Sequence, residues 1–197
     1  MTRRFAAAAV LVLASGCTTL PPTPEIADWS ARRAALQALP AWTLNGRIAV
    51  AAGENGFSGG FDWTQVGESA DIALSGPIGG ARLRIHVEGG AFEVTDDRGN
   101  RYTGEEAECF VAERIGPGEK LPVLQMRYWL VGAPAPGAQY DESLGGDERL
   151  ASLTQSGWQV RFERYATVGT LALPARLEMT TQGLRLRVVV SDWRLPP

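Results

Sequence analysis

Few residues in this chain have side chains suited to bond chemistry. There is one histidine, His86, and there are two cysteines, Cys17 and Cys109. A Ser-His-Asp triad would have to use His86, yet no nucleophile-elbow motif is present. His86 stands on the polar side of an alternating stretch beside Arg82 and Arg84 and reads as a solvated histidine. Neither cysteine has a CxxC partner, so no metal-ligand spacing arises. Cys109 falls in a helical stretch and reads as a small buried apolar residue. Asp96-Asp97 read as a turn with Arg98-Gly99, and Glu105-Glu106 as acids at a helix start. The segment "GENGFSGG", residues 53–60, is rich in glycine but lacks the Lys-Ser/Thr of a P-loop and opens no helix. It reads as a hairpin turn. These residues point away from an enzyme, and no cofactor or metal is expected.

Cys17 is the exception, because its surroundings are specific. It ends "LASGC" after Arg3-Arg4 and an apolar run from Phe5 to Ala14. A bilayer span needs about twenty residues, twice what this run offers. The basic n-region, apolar h-region and small residues Ala14-Ser15-Gly16 describe an export signal, to be set aside in fold reasoning. A cysteine directly after the cleavage point resembles the lipobox of bacterial lipoprotein signals, in which the thiol takes a diacylglycerol and the amine is later acylated. Here Leu13 lies four places before the cysteine and Ala14 three, where the lipobox has leucine. Thr18 follows Cys17 where an aspartate would, by resemblance to enterobacterial sorting rules, retain a lipoprotein in the inner membrane. Residues 1–16 are thus read as a removed signal and 17–24, with Pro21, Pro22 and Pro24, as a stiff lipidated tether. Residues 25–197 are one domain, long enough for a sizeable core. Loss of Arg3 and Arg4 moves the formal charge from -3 to -5, and no basic face suggests nucleic acid.

The elements follow from periodicity. Thr23-Pro24-Glu25 is expected to open a helix that places Ile26, Trp29, Leu36 and Leu39 on one face and stops at Pro40. The period then changes to two. Leu44, Ile48 and Val50, then Phe57, Phe61 and Trp63, then Leu83, Ile85 and Val87, then Phe92 and Val94 alternate with polar residues. This is the pattern of antiparallel strands with one apolar face. Thr103-Gly104-Glu105-Glu106 reads as a capping box before a helix that buries Ala107, Phe110, Val111 and Ile115. Another helix runs from near Pro122 to Gly132, and "APAPG" after it reads as a stiff linker. Strands return in "RLASLTQ", "GWQVRFERY", "PARLEMTT" and "LRLRVVVSDW". The sum is a mainly β, α+β chain: an antiparallel sheet curling towards a barrel, with three helices over its open side. In "LSGPIGGARL", residues 74–83, Ile78 occupies a turn flanked by Pro77 and Gly79. Either it folds back onto the core or it stands in solvent to touch a membrane or partner, a contact worth roughly 1.5–3 kcal/mol.

The chain resembles the LolB family, outer-membrane receptors of the bacterial lipoprotein-localisation pathway. The resemblance covers nearly the whole mature chain and is carried by "WTLNGRIAV", "GFSGGFDWTQ", "LSGPIGGARL", "GNRYTGEEAE", "LQMRYWLVGAP", "QSGWQVRFERY" and "LPARLEM…LRLRVVVSDW" in that order. It implies an incomplete antiparallel β-barrel with an apolar cavity lidded by helices. It implies a partner, a soluble periplasmic LolA-like carrier that hands over triacylated lipoproteins, and release of that cargo into outer-membrane lipid without nucleotide. It assigns Pro77-Ile78-Gly79 to a membrane-insertion loop and Cys17 to lipid attachment, facing the periplasm of a Gram-negative bacterium, in a monomer. Alternation nominates as acyl-chain contacts Leu44 and Ile48, Phe61 and Trp63, Leu83 and Ile85, Trp158 and Val160, and Leu186 and Val188. Phe110, Val111, Leu124 and Trp129 are expected in the lid. A carrier of lipopolysaccharide or phospholipid, or a scaffold lipoprotein without a cavity, are the alternatives.

Overall fold

A computed structural model describes residues 28–76, 82–115 and 121–196. Cys17, the tether and the Pro77-Ile78-Gly79 turn lie outside the described residues. One sheet dominates. Its strands are β1 (Ala41–Ala52), β2 (Asn55–Val66), β3 (Ser69–Ser75), β4 (Arg82–Glu88), β5 (Ala91–Thr95), β6 (Arg101–Thr103), β7 (Tyr140–Leu144), β8 (Leu150–Gln155), β9 (Trp158–Val168), β10 (Leu171–Thr180) and β11 (Arg185–Arg194). Their spatial order is β6-β5-β4-β3-β2-β1-β11-β10-β9-β8-β7, antiparallel throughout. Two meanders, β1–β6 and β7–β11, meet at the centre, where the first strand pairs with the last. The sheet is open. Its two edges, β6 and β7, are joined in the chain through α2 (Gly104–Ile115) and α3 (Val123–Val131).

The alternation read from the sequence sets which face is buried. Trp42, Leu44, Ile48 and Val50 of β1 are buried, and so are Phe61 and Trp63 of β2 and Leu186, Val188 and Val190 of β11. The buried face needs close strand approach at two places. A bulge between Asn45 and Gly46 shifts the β1–β11 register, and a Cβ on Gly46 would stand 2.2 Å from the Val189 carbonyl oxygen. A Cβ on Gly59 would stand 1.8 Å from that of Ser75. The glycine-rich segment therefore divides. Only Gly53 and Glu54 form the β1–β2 turn, and residues 55–60 belong to β2, because glycine there admits the neighbouring backbone rather than reversing the chain.

Three other expectations change. The first helix, α1 (Trp29–Gln37), is capped by Asp28, whose extended backbone (φ -76°, ψ 125°) and carboxylate accepting from the Ala31 N–H start it four residues beyond Glu25. Leu39 packs after its end rather than within it. Cys109 is exposed, since Ala107, Phe110 and Val111 take the inward face of α2 and Cys109 points away at about 100° per residue. The "APAPG" linker is buried over its first three residues, and Pro136 and Gly137 are exposed. Gly132 adopts a left-handed φ of 86° and closes α3 as a Schellman motif, its N–H and that of Ala133 donating to the Trp129 and Tyr128 carbonyls. From there Ala133, Pro134 and Ala135 run buried beneath the helices.

Candidate functional site: the apolar interior and its helical cover

The inner face of the sheet and the inward faces of the helices form one continuous apolar cluster. Twelve of the fourteen residues nominated as acyl-chain contacts are buried in it: Leu44, Ile48, Phe61, Trp63, Ile85, Phe110, Val111, Trp129, Trp158, Val160, Leu186 and Val188. Leu83 is partly buried against it. Leu124 is not; it is 50% exposed on α3, at the rim of the cover rather than beneath it. In this conformation the interior is packed core. Trp42 stacks on Trp63 with centroids 5.8 Å apart and meets Trp193 edge-on at 5.5 Å. Tyr102 of β6 stacks on Phe110 of α2 at 4.1 Å and so fixes α2 to the sheet edge.

Two buried glutamines, which periodicity does not single out, tie this interior together. Gln155, on β8, accepts from the Trp129 Nε1–H and the Ala135 N–H, both at 2.8 Å, and donates to the Ala135 carbonyl at 2.8 Å. It joins α3, the buried strap after it and the sheet in one hub. Gln65 accepts from the Trp63 Nε1–H at 2.9 Å and donates to the Gly67 and Ser69 carbonyls. A buried amide with its partners in place is stable; with one removed it is costly. The signal in the sequence was the position: each glutamine falls on the inward phase of an apolar alternation. At the β7 edge, α1 takes up exposed groups. Trp29 donates to Glu142 at 2.8 Å, Arg33 to the Tyr140 hydroxyl at 2.6 Å, and Arg32 to the Glu148 carbonyl at 2.8 Å.

The cover is not sealed. A cleft of about 170 Å³ opens between α2, α3 and the β4–β5 hairpin, lined by Val87, Phe92, Val111, Ala112, Leu121 and Val123 among others. It continues past Gly90, Leu124 and Gln125 into a shallower groove along α3 bounded by Arg127, Tyr128 and Pro136. The cleft is smaller than the roughly 300–1,000 Å³ of ordinary ligand pockets.

His86 lies on the other side of the sheet. Its Nδ1 is 2.8 Å from Asp71 Oδ1 and its Nε2 3.7 Å from Glu88, so its neighbours are carboxylates on the outer face. The hydrogen bond to Asp71 raises its pKa above the ordinary value. Among the described residues no group of three His, Cys, Asp or Glu is arranged to hold a metal, and no helix is long and apolar enough to cross a membrane. Asp96 closes its turn as read, accepting from the Arg98 and Asn100 N–H groups.

An open antiparallel sheet folded round an apolar interior, with helices crossing from one edge to the other, defines a class: half-barrels that cover an apolar surface with a helical lid. A solved structure of this class, a LolA superfamily protein from Nitrosomonas europaea, matches 89% of this chain and 95% of its own with a TM-score of 0.52 at 12% identity. A DUF1329 family protein from Desulfovibrio piger matches 85% and 90% with a TM-score of 0.53 at 8% identity. In sequence, the family model described as outer membrane lipoprotein LolB matches residues 40–193. The outer-membrane lipoprotein LolB of Pseudomonas aeruginosa is 34% identical over 98% of this chain and 96% of its own length. That of Pseudomonas putida is 36% identical over 85% and 80%. The chain belongs to the LolB family of outer membrane lipoproteins.

Proposed function

We propose that this protein, tethered to the outer membrane by acylation at Cys17, accepts triacylated lipoproteins from a soluble periplasmic LolA-like carrier and releases them into the outer membrane without enzymatic turnover. The observation that supports this most directly is the single continuous apolar cluster shared between the sheet and a helical cover that is open at one side. Each acyl CH2 exposed to water costs about 0.8 kcal/mol, so cargo with three chains must travel covered. Passing chains from one apolar interior to another and then to a bilayer is apolar to apolar at each step. Nucleotide is not needed, and direction comes from successive differences in affinity. The cleft between α2 and α3 is too small for three chains, so uptake requires these helices to part from the sheet. The inner residues of β1, β2, β4, β9 and β11 would then meet the chains that the helices meet now. Leu124, at the junction of cleft and groove, is the first apolar contact outside.

The test is a transfer assay. Residues 18–197 are mixed with a carrier–lipoprotein complex, and change of hands is followed by pull-down without nucleotide. Cargo is expected on this protein. Cargo retained by the carrier, with this protein shown to be folded, would overturn the acceptor reading. For release, Ile78→Glu is expected to accept cargo but not deliver it to liposomes, since a charge at that position opposes entry into an apolar layer. Normal delivery by that variant would overturn the assignment of Pro77-Ile78-Gly79.

A further inference from the structure

The outer face of the sheet is divided by charge. On its β2–β5 side, Asp62, Asp71, Glu88 and Glu93 face Arg84 and His86. On adjacent strands β1, β11, β10 and β9 the balance reverses. Arg47, Arg185, Arg187, Arg194, Arg176, Arg161 and Arg164 lie there with Asp192, Glu163 and Glu178, a surplus of four positive charges in a chain whose residues 17–197 sum to -5.

The carboxylates lie low and the guanidiniums stand above them. Glu178 bridges Arg161 (3.2 Å) and Arg187 (2.7 Å), and Glu163 bridges Arg161 (2.9 Å) and Arg176 (3.0 Å). The glutamate side chains are 11% and 25% exposed, the three arginines 42–59%. Cross-strand pairing accounts for those three arginines as sheet stabilisation. It does not account for Arg47 and Arg164, both exposed, for which no ion pair is formed among the described residues; exposed Arg185 forms no ion pair within 4 Å there either, and its charge acts on Glu178 only at longer range. The strands are about 4.8 Å apart, so the patch extends roughly 15 Å across an outward-facing surface. Arg47 shares a cross-sheet row with Gly60 and Ser75, so the patch reaches the rim where β3 ends.

We infer that this arginine face docks on an anionic phospholipid surface and orients the domain against the membrane that carries it. A body of net negative charge is repelled by an anionic leaflet unless it turns a positive face towards it, and juxtamembrane basic residues are attracted by such leaflets. Guanidinium forks match phosphate oxygens bidentately. Membership of an outer-membrane lipoprotein family places the domain beside a bilayer, which favours lipid over an acidic protein as the occupant. The inference does not use the acceptor reading or Ile78.

All the described elements lie within residues 29–194, so residues 18–197 serve as an unanchored probe. Sedimentation is measured with vesicles of phosphatidylcholine alone and with phosphatidylglycerol added. Binding is expected only to the anionic vesicles and should be lost near 1 M salt, where the screening length falls to about 3 Å. Each arginine changes partition about fivefold, so R47Q/R164Q/R185Q together should bind roughly a hundredfold more weakly, with its near-ultraviolet circular dichroism intact. A control of equal charge change on β4–β6, R84Q/R98Q/R101Q, should bind as the unaltered protein does. Equal binding to neutral vesicles, undiminished binding by the first triple, or equal loss in both triples would overturn the inference. So would a first triple that keeps vesicle binding but no longer takes cargo from the carrier in solution, which would assign the face to a protein. Failure of the transfer assay alone leaves it standing, because neither carrier nor cargo is in the vesicle measurement.

Discussion

His86 titrates between two carboxylates. Its hydrogen bond to Asp71 favours the imidazolium, so its folded pKa lies above the ordinary 6.5. The sign follows from linkage: the stability this pair contributes is fully present below about 6.5 and is lost as pH rises through the raised folded value. Proton NMR titration of the one histidine should give a pKa above 6.5, and Asp71→Asn should bring it down. An unchanged value would show that Asp71 is not the cause. The pair is solvent-exposed, so its share of total stability is small. Gln155 is the opposite case. Gln155→Leu fills similar space but strands the Trp129 indole N–H and both backbone groups of Ala135 in an apolar interior. At roughly 1–3 kcal/mol for an unsatisfied buried group, urea unfolding should find a loss of about 3 kcal/mol. The same substitution at Gln159, exposed on β9, should cost little.

At the scale of elements, the β1–β11 junction is the tightest. Gly46→Ala forces a Cβ into the Val189 carbonyl at a bulge, so the two strands must separate locally. Overpacking of this kind costs about 1–3 kcal/mol, and thermal unfolding should show the midpoint lowered. An unchanged midpoint would mean that the bulge relaxes freely. Gly53, in a turn with nothing near its Cβ, tolerates space but not a negative φ, so the two glycines fail for different reasons. The helices differ in emphasis: α1 caps an edge strand by hydrogen bonds and adds Trp29 and Leu36 to the core, whereas α2 and α3 cover the apolar face by packing and through the Gln155 hub.

At the scale of the molecule, the topology makes the last strand central. β11 sits between β1 and β10, so deleting residues 185–197 removes the middle of the sheet rather than fraying an end. Circular dichroism of that truncation should show no cooperative unfolding transition, whereas a truncation after Arg194 should fold. A retained transition in the shorter chain would contradict the central placement. Pairing strands from the two ends of the chain also closes a long loop before its contacts form. Folding is therefore expected on the millisecond-to-second scale of non-local β topologies.

Much was determined locally. The strands of β1, β2, β4, β9, β10 and β11, the α3 stop at Gly132 and the Asp96 turn follow from periods of two and 3.6 and from turn chemistry, which act over a few residues. The mainly antiparallel fold and the inward phase of twelve nominated residues follow from the same patterns. Tertiary structure decided the rest. The strand β7, "YDESL", has no apolar alternation because it is an edge whose residues are mostly exposed, and its partners are β8 and the side chains of α1. β3 carries the alternation Ala70, Ile72, Leu74, and pairing with β2 and β4 is what marks it as a strand of the sheet. The buried path of Ala133-Pro134-Ala135 depends on Gln155, twenty residues from Ala135, and the exposure of Leu124 and Cys109 depends on which helix face meets the sheet. Periodicity says that a face is apolar; only the assembled sheet and its cover say whether that face meets core, cleft or water, because burial is set by what lies opposite.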